Sequence, residues 1–129
     1  MRNKFLETGD PGYHPLRKVR IILSGLKFGV IFEISVAYKL ILSLIILCFS
    51  LFFHDWVDVM VILVSTAQVL TAELFNTAIE AVCDFVEPAN NQKIMIIKDI
   101  SAAATGISIA AWAIVIIYEY YKLIMLYVG

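Results

Sequence analysis

The chain has 129 residues, 61% of them hydrophobic and only 16% charged, with a mean hydropathy of +0.88. Soluble domains carry about 25% charged residues, so a water-soluble globule of this size is excluded. A net charge of −1 and a pI near 6.1 argue against a general nucleic-acid binder. Cys48 and Cys83, in apolar surroundings and without metal-ligand spacing, suggest neither a disulfide framework nor a zinc site. What remains is an integral membrane protein in one domain, residues 1–129.

Met1–Asp10 is polar, and the only apolar segment ahead of Leu40 is amphipathic, so no signal peptide is expected. Asp10-Pro11-Gly12 is turn chemistry. A helix is expected over about residues 14–33. Pro15 is tolerated in a first turn, and Arg17, Lys18, Arg20 and Lys27 are interspersed with Val19, Ile22, Leu23, Leu26 and Val30. Such a basic amphipathic helix suits a membrane surface, its cations toward anionic head groups. Packing against a helical bundle is the alternative, and the two are compatible.

Three charge-free stretches follow, Leu40–Phe53, Val59–Ala72 and Ile100–Tyr118. The third has 19 residues and meets the length of a spanning helix by itself. The first two have 14 each and must be extended. Reaching back past Lys39, which can snorkel to the interface, the first becomes a span of about 34–53. The second starts near Trp56 and runs through an acidic stretch, giving about 56–85. The third, about 98–121, opens at Lys98-Asp99. Gly106 is the one glycine inside these spans, so nothing breaks the helices.

Lys and Arg set the orientation. Arg2, Lys4, Arg17, Lys18, Arg20 and Lys27 precede the first span, the segment at His54–Asp58 has none, and Lys93 and Lys98 follow the second span. By the positive-inside rule, the N-terminus and the loop at 86–97 are cytoplasmic. Trp56 and the tyrosines at 118, 120 and 121 fall where an outer aromatic belt belongs.

The second span ends in Glu73, Asn76, Thr77, Glu80 and Asp84, at offsets 0, 3, 4, 7 and 11, which share one helix face. Leu74, Phe75, Ala78, Ile79 and Val82 form the opposite, apolar face. At about 1.5 Å per residue, Glu73 lies roughly 25 Å from Trp56, near the cytoplasmic side of the hydrocarbon. A lone Glu in a span is as often a helix–helix hydrogen-bonding device as a catalytic group, but ionisable residues inside a span default to a functional hypothesis. Glu33, at the entrance of the first span, and Lys98-Asp99 can join this face. An acidic array with one lysine at the water–lipid boundary suits a hard cation such as Mg2+ with phosphates as co-ligands. Lys98 would offset developing phosphate charge, and an unligated carboxylate would serve as general base.

The run Glu73-x-x-Asn76-Thr77-Ala78-Ile79-Glu80-x-x-x-Asp84, followed by Lys98-Asp99 and an alanine-rich helix, resembles the small bacterial diacylglycerol kinases and the closely similar undecaprenol kinases. Gly25, eight residues before Glu33, and the three-span layout behind a surface helix support the resemblance, which covers about Leu16 to Tyr121. It implies an all-α membrane protein with three transmembrane helices and an N-terminal amphipathic surface helix, bundled in a homotrimer. The implied activity is transfer of the γ-phosphate of MgATP to a lipid hydroxyl, most simply diacylglycerol to phosphatidic acid, with undecaprenol as the alternative substrate. It further implies Glu73 as general base, Asn76 as an orienting group, Glu33 and Glu80 as metal ligands, Lys98 against phosphate, and Asp99 and Asp84 on the nucleotide side. Only the resemblance supplies ATP, because no Walker-type Gly-rich loop is present. The chain departs from the family at Ile34-Ser35-Val36-Ala37-Tyr38-Lys39 and at Asn90-Asn91-Gln92, positions that bear on substrate choice.

The rival from another class is an oligomeric cation channel or transport subunit with the acidic face lining a pore. A pore wants charge repeated along the whole span, and the second span has none from Val59 to Ala72. A purely structural interaction protein leaves the carboxylates unexplained.

Overall fold

The computed structural model describes residue 12, residues 14–53 and residues 55–129. Asp10, Pro11 and His54, named above in turn or loop positions, lie outside the described residues, whereas Gly12 takes the left-handed φ of 99° that suits glycine in a turn. Four helices follow in order: α1 (Pro15–Phe32), α2 (Ile34–Phe52), α3 (Trp56–Val86) and α4 (Gln92–Val128). Among the described residues there is no strand. The last three helices are each long and apolar enough to cross a membrane.

The helix boundaries have local causes. Pro15 stands in the first turn of α1. Only Glu33, in extended backbone at φ −115° and ψ 105°, separates α1 from α2, so the two helices change direction at a single residue. The Asp55 carboxylate caps α3 by accepting from the Asp58 N–H, and the Asn91 side chain caps α4 by accepting from Lys93 and Ile94. This second cap sets the start of the helix that carries the third span, ahead of Lys98-Asp99. The helix begins at Gln92, leaving only the short connection Glu87–Asn91, so Lys98 and Asp99 sit past its first turn. Asn91 supplies the side-chain oxygen that a start at Lys98 would lack.

At about 1.5 Å per residue, the 31 residues of α3 reach roughly 46 Å, beyond a hydrocarbon core of about 30 Å. Counted from Trp56, Glu73 falls within a length equal to that thickness and Asp84 falls beyond it. The buried stripe of α3 (Asp58, Ile62, Ser65, Val69, Glu73) keeps helical spacing and faces α2 and α4. Ile46, Ile62, Val69, Trp112 and Ile116 form the core where the three spans meet.

Between helices in lipid there is no hydrophobic driving force, so association rests on close packing and interhelical hydrogen bonds of roughly 0.6 kcal/mol each. One of these is the bond donated by Trp112 Nε1 to Ser43 Oγ at 2.8 Å, which ties α4 to α2. α1 buries only Gly29. A Cβ there would run into the Leu74 side chain, so the glycine lets the end of α1 lie against α3. Apart from the half-buried Leu26 and Val30, the rest of α1 keeps its apolar and basic residues exposed, as a surface helix does. Cys48 and Cys83 are free thiols.

Candidate active site

The acidic face of α3 becomes progressively more exposed toward its C-terminus. Glu73 is 7% exposed. Asn76 and Thr77, one turn on, are half-buried, while Glu80 is exposed. The Asp84 side chain, a further turn on, is 65% exposed. Three turns of one helix thus pass from the packed interior to the aqueous end.

Glu73, Asn76, Glu80 and Asp84 are each met from a neighbouring helix or from an adjacent turn of α3. Glu73 Oε1 accepts from Lys39 Nζ at 2.7 Å and from Ser35 Oγ at 2.7 Å, both on α2. Asn76 Oδ1 accepts from Ser101 Oγ on α4 at 2.8 Å, and its Nδ2 donates to Glu80 Oε1 at 3.2 Å. Thr105 donates to the Ala72 carbonyl at 3.3 Å, holding α4 against the same stretch. Asp84 forms an ion pair with Lys98. Between α3 and α4 lies a cavity of about 360 Å³, lined by apolar side chains such as Phe75, Ile79 and Ile100 with Asn76 and Ser101 among them.

Two expected site residues stand apart from this network. Glu33 is half-buried at the α1–α2 junction, where its carbonyl accepts from Val36 and Ala37. Asp99 is exposed on α4. Neither carboxylate has a side-chain partner among the described residues, and no group of three acidic, His or Cys side chains gathers there to hold a metal.

Lys39 is the main correction. Expected to snorkel to the interface, it is instead 0% exposed, with its ammonium in the protein interior. The reason is that Glu73 and Ser35 offer it acceptors there, and lipid offers none. A sequence signal existed. Val36, Ser43 and Ser50 repeat every seven residues, and Lys39 and Ile46 fill the complementary heptad positions of the same seam, so Lys39 shares the interior face of α2.

Three spanning helices with carboxylates of graded exposure toward one end of α3 define a small polytopic membrane protein. The sequence model of the family described as prokaryotic diacylglycerol kinase matches residues 20–120, and the chain belongs to that family, one of lipid kinases. No individually curated protein matches the chain.

Proposed function

We propose that this lipid kinase transfers the γ-phosphate of MgATP to the hydroxyl of diacylglycerol, giving phosphatidic acid and ADP, as a homotrimer in the bacterial inner membrane. The observation that carries the reading is the exposure gradient on α3, with Glu73 buried and Glu80 and Asp84 exposed within three turns. A lipid hydroxyl and a water-soluble nucleotide meet only at such a boundary.

Magnesium usually binds through one or two carboxylates plus substrate phosphate. Glu80 offers an exposed carboxylate, and Glu33 offers one with no side-chain partner among the described residues, so the donors fit a metal–nucleotide complex better than an all-protein cage. When bound, magnesium neutralises charge on the transferring phosphates. The lipid oxygen bonds to the γ-phosphorus as the bond to the β,γ-bridging oxygen breaks and ADP leaves. Glu73 takes the hydroxyl proton and later releases it to water. Asn76, fixed by Ser101, holds the Glu80 carboxylate, which would serve as a metal ligand. Lys98 turns from Asp84 to the phosphates, leaving Asp84 and Asp99 to orient the nucleotide.

The test is transfer of label from radiolabelled ATP, with diacylglycerol and undecaprenol supplied separately in mixed micelles. Labelled phosphatidic acid is expected. Label in undecaprenol alone would change the substrate, and label in neither would overturn the reading. Orientation is tested by a membrane-impermeant thiol reagent added outside cells. It is expected to reach a cysteine introduced at Val57 and not one at Asn90, and the reverse pattern would strand the acidic face away from cytoplasmic ATP.

A further inference from the structure

We propose that Lys39 and Ser35 are positioning residues for Glu73, holding one carboxylate oxygen so that the other faces the lipid hydroxyl. The proposal rests on the reading of Glu73 as the base and goes beyond it, to the residues that aim it. Three contacts carry it. Lys39 Nζ donates to Glu73 Oε1 at 2.7 Å, to Ser35 Oγ at 2.6 Å and to the Ser35 carbonyl at 3.1 Å. An ammonium has three donors, so all of them are used, and the cation also sits 4.4 Å from the centroid of the Tyr38 ring. Ser35 Oγ accepts from Lys39 and donates its own O–H to Glu73 Oε1 at 2.7 Å. Both donors therefore converge on the same oxygen.

Glu73 Oε2 receives no hydrogen bond among the described residues. Here the asymmetry leaves free the lone pairs that a proton acceptor needs. The clamp is rigid because its stems are packed. Lys39 and Val36 are fully buried on α2, and Val69 is fully buried one turn before Glu73. Lys39 is the titratable group that meets this carboxylate from α2, and Tyr38 lies against the Lys39 ammonium rather than the carboxylate. α4 approaches the same stretch of α3 with Ser101 and Thr105, and α1 with Gly29, none of which titrates.

The experiment compares kcat and the two KM values for Lys39→Met, Lys39→Arg and Ser35→Ala, each in the wild-type and the Glu73→Gln background, on purified protein of native assembly size. Misaiming a catalytic group by about 1 Å can cost 10²-fold. Lys39→Met is accordingly expected to lower kcat by about that factor with the KM for ATP unchanged. Lys39→Arg is expected to restore most of the loss, and Ser35→Ala to lose a smaller part. In the Glu73→Gln background, Lys39→Met is expected to cost less than about threefold more, because groups acting as a unit are non-additive. An equal loss in both backgrounds, or an active Lys39→Met beside an inactive Glu73→Gln, overturns the positioning role and leaves Glu73 as base. A nearly fully active Glu73→Gln overturns the base and the clamp together. If Lys39→Met fails to assemble, Ser35→Ala decides, since it keeps the ion pair; an unchanged kcat in that variant overturns the proposal.

Discussion

The two ends of α3 are built from the same residue types and use them differently. At the end near Trp56, Lys122 of α4 bridges two aspartates, reaching Asp55 at 2.5 Å and pairing with Asp58 as well. Glu119, one turn before Lys122 and 2% exposed, lines the same small cavity of about 210 Å³. The charges at this end are turned on one another. At the far end Lys39 and Lys98 each take one carboxylate, Glu73 and Asp84. Glu80 stays exposed, held only by an amide, while Glu33 and Asp99 have no side-chain partner among the described residues. One cation closing two acids makes a clasp between helices. Acids left over and open to solvent, unlike the buried Glu119, make a place for a ligand that brings its own positive charge.

The sharpest way to break this comparison is Glu73→Gln, which keeps shape and hydrogen bonding but cannot accept the proton. A positioned base contributes typically 10²–10⁴-fold, so kcat is expected to fall by about that factor. ATP affinity is expected to hold, since the base acts on the lipid, while the melting temperature drops because the buried Lys39 ammonium loses its carboxylate. Phosphotransfer and nucleotide binding measured on the same purified variant check this, and activity within a few-fold of wild type would exclude Glu73 as the base.

A smaller effect is expected at the carboxylates left available. Glu80→Gln and Glu33→Gln should each lower activity in a way that added magnesium partly restores, because each removes one ligand charge and keeps the size. Magnesium titrations of the three proteins are the measurement, and identical dependence in all of them would remove the ligand assignment.

The clasp is expected to show the opposite behaviour. Lys122→Met leaves Asp58, a buried residue, without its cation, so the melting temperature should drop while the folded protein keeps its kcat. A loss of kcat at unchanged stability would place the clasp in the chemistry and dissolve the contrast between the two ends.

The smallest effect concerns Asp55, which lies outside the spans. The Lys122 ammonium beside it, with help from Asp58, holds its carboxyl below the usual carboxylate range. A folded-state value lowered in this way stabilises above the unfolded value and stops doing so as pH falls through the folded one. The melting temperature of Asp55→Asn should therefore lie slightly below wild type near neutral pH, and the gap should close as pH drops below about 4. A gap that widens on acidification would contradict the pairing.

Much of this molecule was legible in the chain. The uncharged stretches between Lys39 and Lys122 marked three spans, because a charge in hydrocarbon is costly wherever it occurs. The 3.6-residue period put Glu73, Asn76, Glu80 and Asp84 on one face before any neighbour was known. Pro15 and Trp56 marked helix starts to within a residue or two. What the sequence left open was pairing between helices. Whether Lys39 snorkels or turns inward depends on an acceptor 34 positions away, and Asp55 and Asp58 meet Lys122 only because α3 and α4 run side by side over their length. Periodicity is a property of one helix, and a chain can state it alone. An ion pair across helices needs two helices at a fixed rotation and height, and only the folded bundle sets those.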